Sequence, residues 1–126
     1  MEIKEKHWIE GSVVRGLGKG RELGFPTANL VLSQTPTIEP GVYAGYARLP
    51  NGESLKAAIC YGVKKETYGL IFEVHIIDWS GDLYGQTLEV EIGAKVSELV
   101  PFNGEVEMMK KILADVAKAK ILCTAE

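Results

Sequence analysis

Residues 16–30 read GLGKGRELGFPTANL, and the fold assigned to the whole chain turns on this stretch. Four glycines, Lys19 and Arg21 fall within the nine residues from Gly16 to Gly24, and the run then enters Phe25-Pro26-Thr27-Ala28-Asn29. Glycines at this density leave backbone N–H groups open and permit positive φ, which lets a loop close around an anion. Gly18, Lys19, Gly20 and Arg21 form the expected phosphate cradle, with both cationic side chains at its tip. Pro26 sets the backbone ahead of Thr27, and Thr27 and Asn29 offer neutral oxygens of the hard kind that Mg²⁺ accepts. On glycine content alone the same stretch reads more readily as a mobile surface loop.

Two common nucleotide motifs do not fit. A Walker-type loop needs Ser or Thr after its lysine, whereas Lys19 is followed by Gly20. A dinucleotide fingerprint starting at Gly16 needs a glycine where Arg21 stands.

Outward from this stretch the chain alternates like a β protein. Trp8 to Arg15 is a predicted strand entering the glycine run. Gly41 to Leu49 and Glu53 to Cys60 flank Pro50-Asn51-Gly52, and Asn-Gly between two such runs marks a hairpin. Leu88, Val90, Ile92, Ala94 and Val96 alternate with Glu89, Glu91, Gly93 and Lys95, the period of a strand buried on one face. Ser80-Gly81-Asp82 supplies the turn before it. The period then changes: Val106, Met109, Ile112, Leu113, Val116 and Ala117 recur as the stripe of an amphipathic helix. Asn103 is its expected N-cap, with Glu105 and Glu107 near the start and Lys118 and Lys120 near the end. Short strands followed by one helix predict a mainly β chain, a small antiparallel barrel with the helix packed on it. The pattern does not separate this from an oligonucleotide-binding barrel.

With 126 residues, residues 1–126 are expected to form one domain. Composition is ordinary for a globular protein, 46% hydrophobic and 25% charged. A net charge of −3, without aromatic residues interleaved among basic ones, argues against a nucleic-acid partner. Cys60 and Cys123 lack metal-type spacing and are expected to be reduced. No apolar run reaches membrane-spanning length and the N-terminus lacks a signal-peptide core, so a cytoplasmic protein without membrane partners is expected. The sequence does not report oligomeric state, and a monomer is the starting expectation.

Gly69 to Asp78, GLIFEVHIID, is the second informative stretch. On a strand Leu70, Phe72, Val74 and Ile76 share one face, expected to be core, and Glu73 and His75 share the other. A carboxylate in an otherwise apolar strand loses solvation, which favours its use as a base. The plainer alternative is that Glu73 and His75 face solvent or pair across the sheet. Asp78 and Asp82 are rival bases, but both belong to turns.

The run LGFPTANL, at residues 23–30, resembles the signature of the ATP-dependent riboflavin kinases, or flavokinases. Glu73-Val74-His75, Asp78 and Leu83-Tyr84-Gly85 are similar to a second element of that family, and the resemblance extends from Gly11 to the terminal helix. It selects a closed Greek-key barrel of about six strands. It implies transfer of the ATP γ-phosphoryl group to the 5′-hydroxyl of riboflavin, with ATP and riboflavin as substrates and Mg²⁺ or another divalent ion as cofactor. Gly18, Lys19, Gly20, Arg21, Pro26 and Thr27 would then bind phosphate, Thr27 and Asn29 the metal, and Glu73 would be the base. The flavin slot is expected between the barrel rim and the terminal helix, with Met108, Met109 and Leu113 as walls.

Two departures bear on the flavin side. Cys60-Tyr61-Gly62-Val63-Lys64-Lys65-Glu66-Thr67 keeps the glycine of the family's Asn-Ile-Gly but neither its asparagine nor the Pro-Thr-Phe that follows. Val96-Ser97 stands where Leu-Arg is common. Loosened flavin binding is the expected consequence, unless Lys64 or Lys65 supplies the missing cation. A non-catalytic flavin- or nucleotide-binding module is the alternative, against which the joint presence of Thr27, Asn29 and Glu73 counts. Many flavokinases are fused to an FAD-forming adenylyltransferase, for which 126 residues leave no room. Met1 does not decide between a standalone chain and an excised domain.

Overall fold

The computed structural model describes residues 8–15, 27–64, 69–101 and 103–123. Six strands are formed among them: β1 (Trp8–Val14), β2 (Ala28–Leu32), β3 (Gly41–Arg48), β4 (Ser54–Lys64), β5 (Gly69–Ile76) and β6 (Thr87–Ser97). They close into a barrel in the order β1-β2-β5-β4-β3-β6, with β6 returning to β1 and every pair antiparallel. One helix follows, α1 (Glu105–Leu122). Mainly β, closed and six-stranded, this is the architecture expected from the sequence.

The Asn-Gly turn forms as its chemistry requires. Leu49 N–H donates to Glu53 O at 2.8 Å, Gly52 takes a φ of 92°, and Asn51 Oδ1 accepts from Glu53 N–H at 2.9 Å. The hairpin it closes puts β3 beside β4 from Gly41↔Tyr61 to Arg48↔Ser54.

Two apolar cores lie on either side of this hairpin. The barrel interior holds Val13, Leu30, Ile59, Phe72, Val74, Ile76, Leu88 and Val90. A second cluster, with Val42, Ala44, Ala58 and Val96 from the outer face and Ala119 and Cys123 from α1, joins the helix to the barrel. Strand β3 is therefore buried on both faces from Gly41 to Gly45, which accounts for its small residues. A Cβ at Gly45 would lie 2.1 Å from the Glu91 carbonyl oxygen and 2.7 Å from Ile59 Cδ1. Backbone cannot step aside as a side-chain tip can. Gly45→Ala should therefore cost roughly 1–3 kcal/mol of stability, read from the denaturant midpoint. An unchanged midpoint would mean that the barrel widens there at no cost.

The alternation expected along β6 breaks. Tyr43 pairs with Lys95 but Gly45 pairs with Ile92, so three residues of β6 span two of β3. This bulge swaps faces. Ile92 packs with Leu88 and Val90 on the barrel interior, Ala94 is exposed, and Val96 joins the cluster under α1. Along β5, Phe72, Val74 and Ile76 are core as expected, whereas Leu70 at the rim is 56% exposed.

The helix also differs from expectation. Gly104, at φ 89°, caps it without a side-chain hydrogen bond, and Asn103 lies one residue outside. Val106, Met109 and Leu113, three members of the expected buried stripe, are exposed. The contact face instead runs through Met108, Lys111, Ile112, Asp115, Val116 and Ala119. That is a turn of about 100°, one residue's worth. The cause is polar: Lys111 and Asp115 bond to Ser97 at the end of β6 and take the contact line that apolar side chains were expected to hold.

Candidate active site

Strand β2 was not expected from the sequence, and it organises the site. Ala28 and Leu30 point toward the barrel core, so Asn29 points outward. Thr27, just before the strand, falls on the same side as Asn29 and is half-buried. Asn29 pairs with Val14 on one side and with Glu73 on the other. Facing residues of an antiparallel pair bring their Cβ atoms to about 5 Å. The two expected metal ligands and the expected base thus come from distant parts of the chain to one patch of the outer face.

Thr27 and Asn29 line a groove of about 220 Å³, whose other walls include Val14, Arg15 and the turn from Trp79 to Tyr84. Arg15 stacks on the Tyr84 ring at 4.1 Å from its centroid. Arg15 is a cation at the groove that sequence reasoning missed, and its place directly before Gly16 was the available signal. Gly18, Lys19, Gly20, Arg21 and Pro26 lie outside the described residues, as does Lys65.

The patch continues across the sheet. Glu73 pairs with Cys60, Cys60 with Val42, and Val42 with Ser97. At about 4.8 Å per strand, Ser97 stands roughly 14 Å from Glu73 along this row. Lys111 of α1 meets the row there, with Nζ donating to Ser97 Oγ at 2.7 Å and lying 2.5 Å from Asp115 Oδ2. Lys111 thus puts a cation beside Ser97, and the expectation that Lys65 supplies one lies outside the described residues.

Beside it, residues before α1 and its first turns line a second groove of about 630 Å³: Val100, Pro101, Asn103, Glu107, Met108, Lys110 and Lys111. Of the three expected flavin walls, Met108 lines it. Met109 and Leu113 do not; they are 40% and 52% exposed on another face of the helix. Leu99 anchors the segment by packing where Gly62 lacks a side chain, 2.3 Å from the position a Cβ would take.

The rival carboxylates are otherwise engaged. Asp78, at φ 58°, bonds Lys120 at 2.8 Å and ties β5 to the end of α1. The hydrogen bond and charge of Lys120 hold the Asp78 carboxyl below its ordinary range. A depressed carboxylate stabilises the fold above its unfolded pKa and loses that contribution as pH falls through the folded one, so this tie weakens only in acid. Asp82 accepts from the Tyr84 N–H at 3.0 Å.

Among the described residues no three His, Cys, Asp or Glu side chains converge on a metal position. The Thr27–Asn29 pair with a neighbouring carboxylate instead fits a Mg²⁺ ion, which keeps waters and takes substrate phosphate oxygens rather than an all-protein cage. No helix among the described residues is long and apolar enough to cross a membrane.

Comparison with known proteins assigns this barrel to a class. Residues 3–123 match the Flavokinase family, described as riboflavin kinase. The chain belongs to that family. It is 37% identical over 114 residues to the bifunctional riboflavin kinase/FMN adenylyltransferase of Haemophilus influenzae, and 31% identical over 123 residues to that of Bacillus subtilis. The alignments cover 89% and 93% of this chain but 37% and 39% of those proteins, so the chain spans under half their length. Among solved structures, a protein from Streptococcus pneumoniae described as a macrolide-efflux protein superposes with a TM-score of 0.82 at 29% identity, over 91% of this chain and 38% of that one. The riboflavin kinase of Trypanosoma brucei shares the fold, with a TM-score of 0.68 at 22% identity over 94% of this chain and 80% of that one.

Proposed function

We propose that this chain transfers the γ-phosphoryl group of ATP to the 5′-hydroxyl of riboflavin, giving FMN and ADP. The observation that carries this reading is the pairing Asn29↔Glu73 with Thr27 beside it. Phosphoryl transfer needs positioning, charge neutralisation and a proton acceptor more than covalent chemistry, and that patch offers all three.

In this reading Thr27 and Asn29 would hold a divalent ion, Mg²⁺ or a substitute, which would supply positive charge against that of the phosphates. Gly18, Lys19, Gly20, Arg21 and Pro26 close over the phosphates, and Arg15 adds a cation at the groove mouth. Glu73 takes the proton from the ribityl 5′-hydroxyl. The freed oxygen forms the new bond to the γ-phosphorus as the bond to the ADP oxygen breaks. The flavin ring lies toward the groove lined by Met108, with its five-carbon chain leading from Glu73. The reading carries with it a cytoplasmic enzyme whose partners are two small molecules.

Incubation with riboflavin and MgATP, followed by chromatography, should yield FMN and ADP in equal amounts. ADP without FMN would assign another acceptor, and neither product would sink the proposal.

A further inference from the structure

The first half of α1 has few specific holds on the barrel. Glu105, Val106, Glu107, Met109 and Lys110 are exposed, and the N-cap makes no side-chain hydrogen bond. Further along, the helix is fixed by Ala119 and Cys123 in the outer core, by Lys118 Nζ donating to Val96 O at 3.2 Å, and by Lys120 on Asp78. At the near end a closed triangle takes over. Lys111 Nζ donates to Ser97 Oγ and Asp115 Oδ2, and Ser97 Oγ donates to Asp115 Oδ1 at 2.8 Å. Asp115, 9% exposed, is the one charged residue among those described that is buried. A buried carboxylate without a cation is costly, so Asp115 needs Lys111 beside it.

Its position matters for the groove. Lys111 lines the groove, and Met108 and Glu107 line it one turn earlier. Wherever Ser97 holds Lys111, the wall follows.

We propose that Lys111 is a positioning residue for the flavin-side groove: bonded to Ser97 and Asp115, it docks the first turns of α1 and sets the wall against which the ring lies. This rests on the riboflavin kinase reading above. Asp115 takes its cation from Lys111 on the helix, and an arginine put at position 97 would offer a second one from the strand. Ser97→Arg alone therefore places two cations on one carboxylate.

Ser97→Ala tests the tie gently, because it leaves the Lys111–Asp115 pair within the helix and removes only the bonds to β6. The riboflavin KM should rise about tenfold, the scale of a charge-assisted hydrogen bond, with the ATP KM within about twofold of wild type. Lys111→Met and Ser97→Arg should each raise the riboflavin KM, and the Ser97→Arg/Lys111→Met double variant should recover it by moving the cation to the strand. Should Lys111→Met fail to fold, Ser97→Ala still decides. Equal changes in both KM values, or a double variant no better than Lys111→Met, would overturn the proposal. Hydrogen exchange supplies a readout independent of turnover: amides 108–112 should exchange faster in Ser97→Ala than in wild type. If wild type makes no FMN but this difference appears, the kinase reading fails while the docking role stands. Unchanged exchange removes the docking role whatever the activity.

Discussion

Glu73→Gln should lower kcat for FMN formation by about 10²- to 10⁴-fold while riboflavin and ATP still bind. Glutamine keeps the shape and one acceptor oxygen of the glutamate but cannot take up the hydroxyl proton. The strand beneath would not notice the change. Phe72 and Val74, the neighbours on the opposite face of β5, are 4% and 1% exposed and hold it in the barrel core. Glu73 itself lies on the outer face, paired with Asn29 and Cys60. Steady-state kinetics with both substrates separates the roles: an unchanged kcat with a raised riboflavin KM would make Glu73 a positioning group instead. Melting of the variant within a degree or two of wild type would confirm that the loss is chemical.

Thr27→Ala should cost roughly 2–4 kcal/mol of transition-state stabilisation, the scale of removing one electrostatic contact at a developing charge. That corresponds to a fall in kcat/KM of about 30- to 1,000-fold. The hydroxyl is the only part of the side chain that can meet a cation, so Thr27→Ser should stay within a few-fold of wild type. A divalent-ion titration adds a second readout, because Thr27→Ala should need more metal to reach its own maximum. Thr27 precedes β2 rather than lying within it, so stability should change little. Activity of Thr27→Ala within a few-fold of wild type would remove Thr27 from the metal's ligands.

What could be read from residues alone was whatever is local. Asn51-Gly52 specified its hairpin because a positive φ is a property of one residue. Glu73 and His75 were assigned to one face of β5 because a strand has a period of two. Three features escaped because they depend on partners far along the chain. Strand β2 is five residues long and follows a proline, too short to declare a period of its own. The bulge in β6 is set by its pairing with β3, and the one local hint of it within LEVEIGAKV is Gly93, a glycine inside a strand pattern. The face that α1 presents was chosen by Ser97, a residue on another element, meeting Lys111 and Asp115. Counting apolar residues in a helix finds a stripe, but it cannot know that a polar triangle will outbid the stripe for contact.

The patch that joins Thr27, Asn29 and Glu73 to Ser97 draws on β2, β5, β4, β3 and β6, and two of its joins, β2 to β5 and β3 to β6, are between strands far apart in sequence. Asn29 and Glu73 meet only through a pairing that spans more than forty intervening residues. Pairings of such separation form late and slowly, because the loop entropy is spent before the contacts repay it. The patch is thus a property of the finished barrel. During synthesis it would stay incomplete until β6 had emerged and closed on β1.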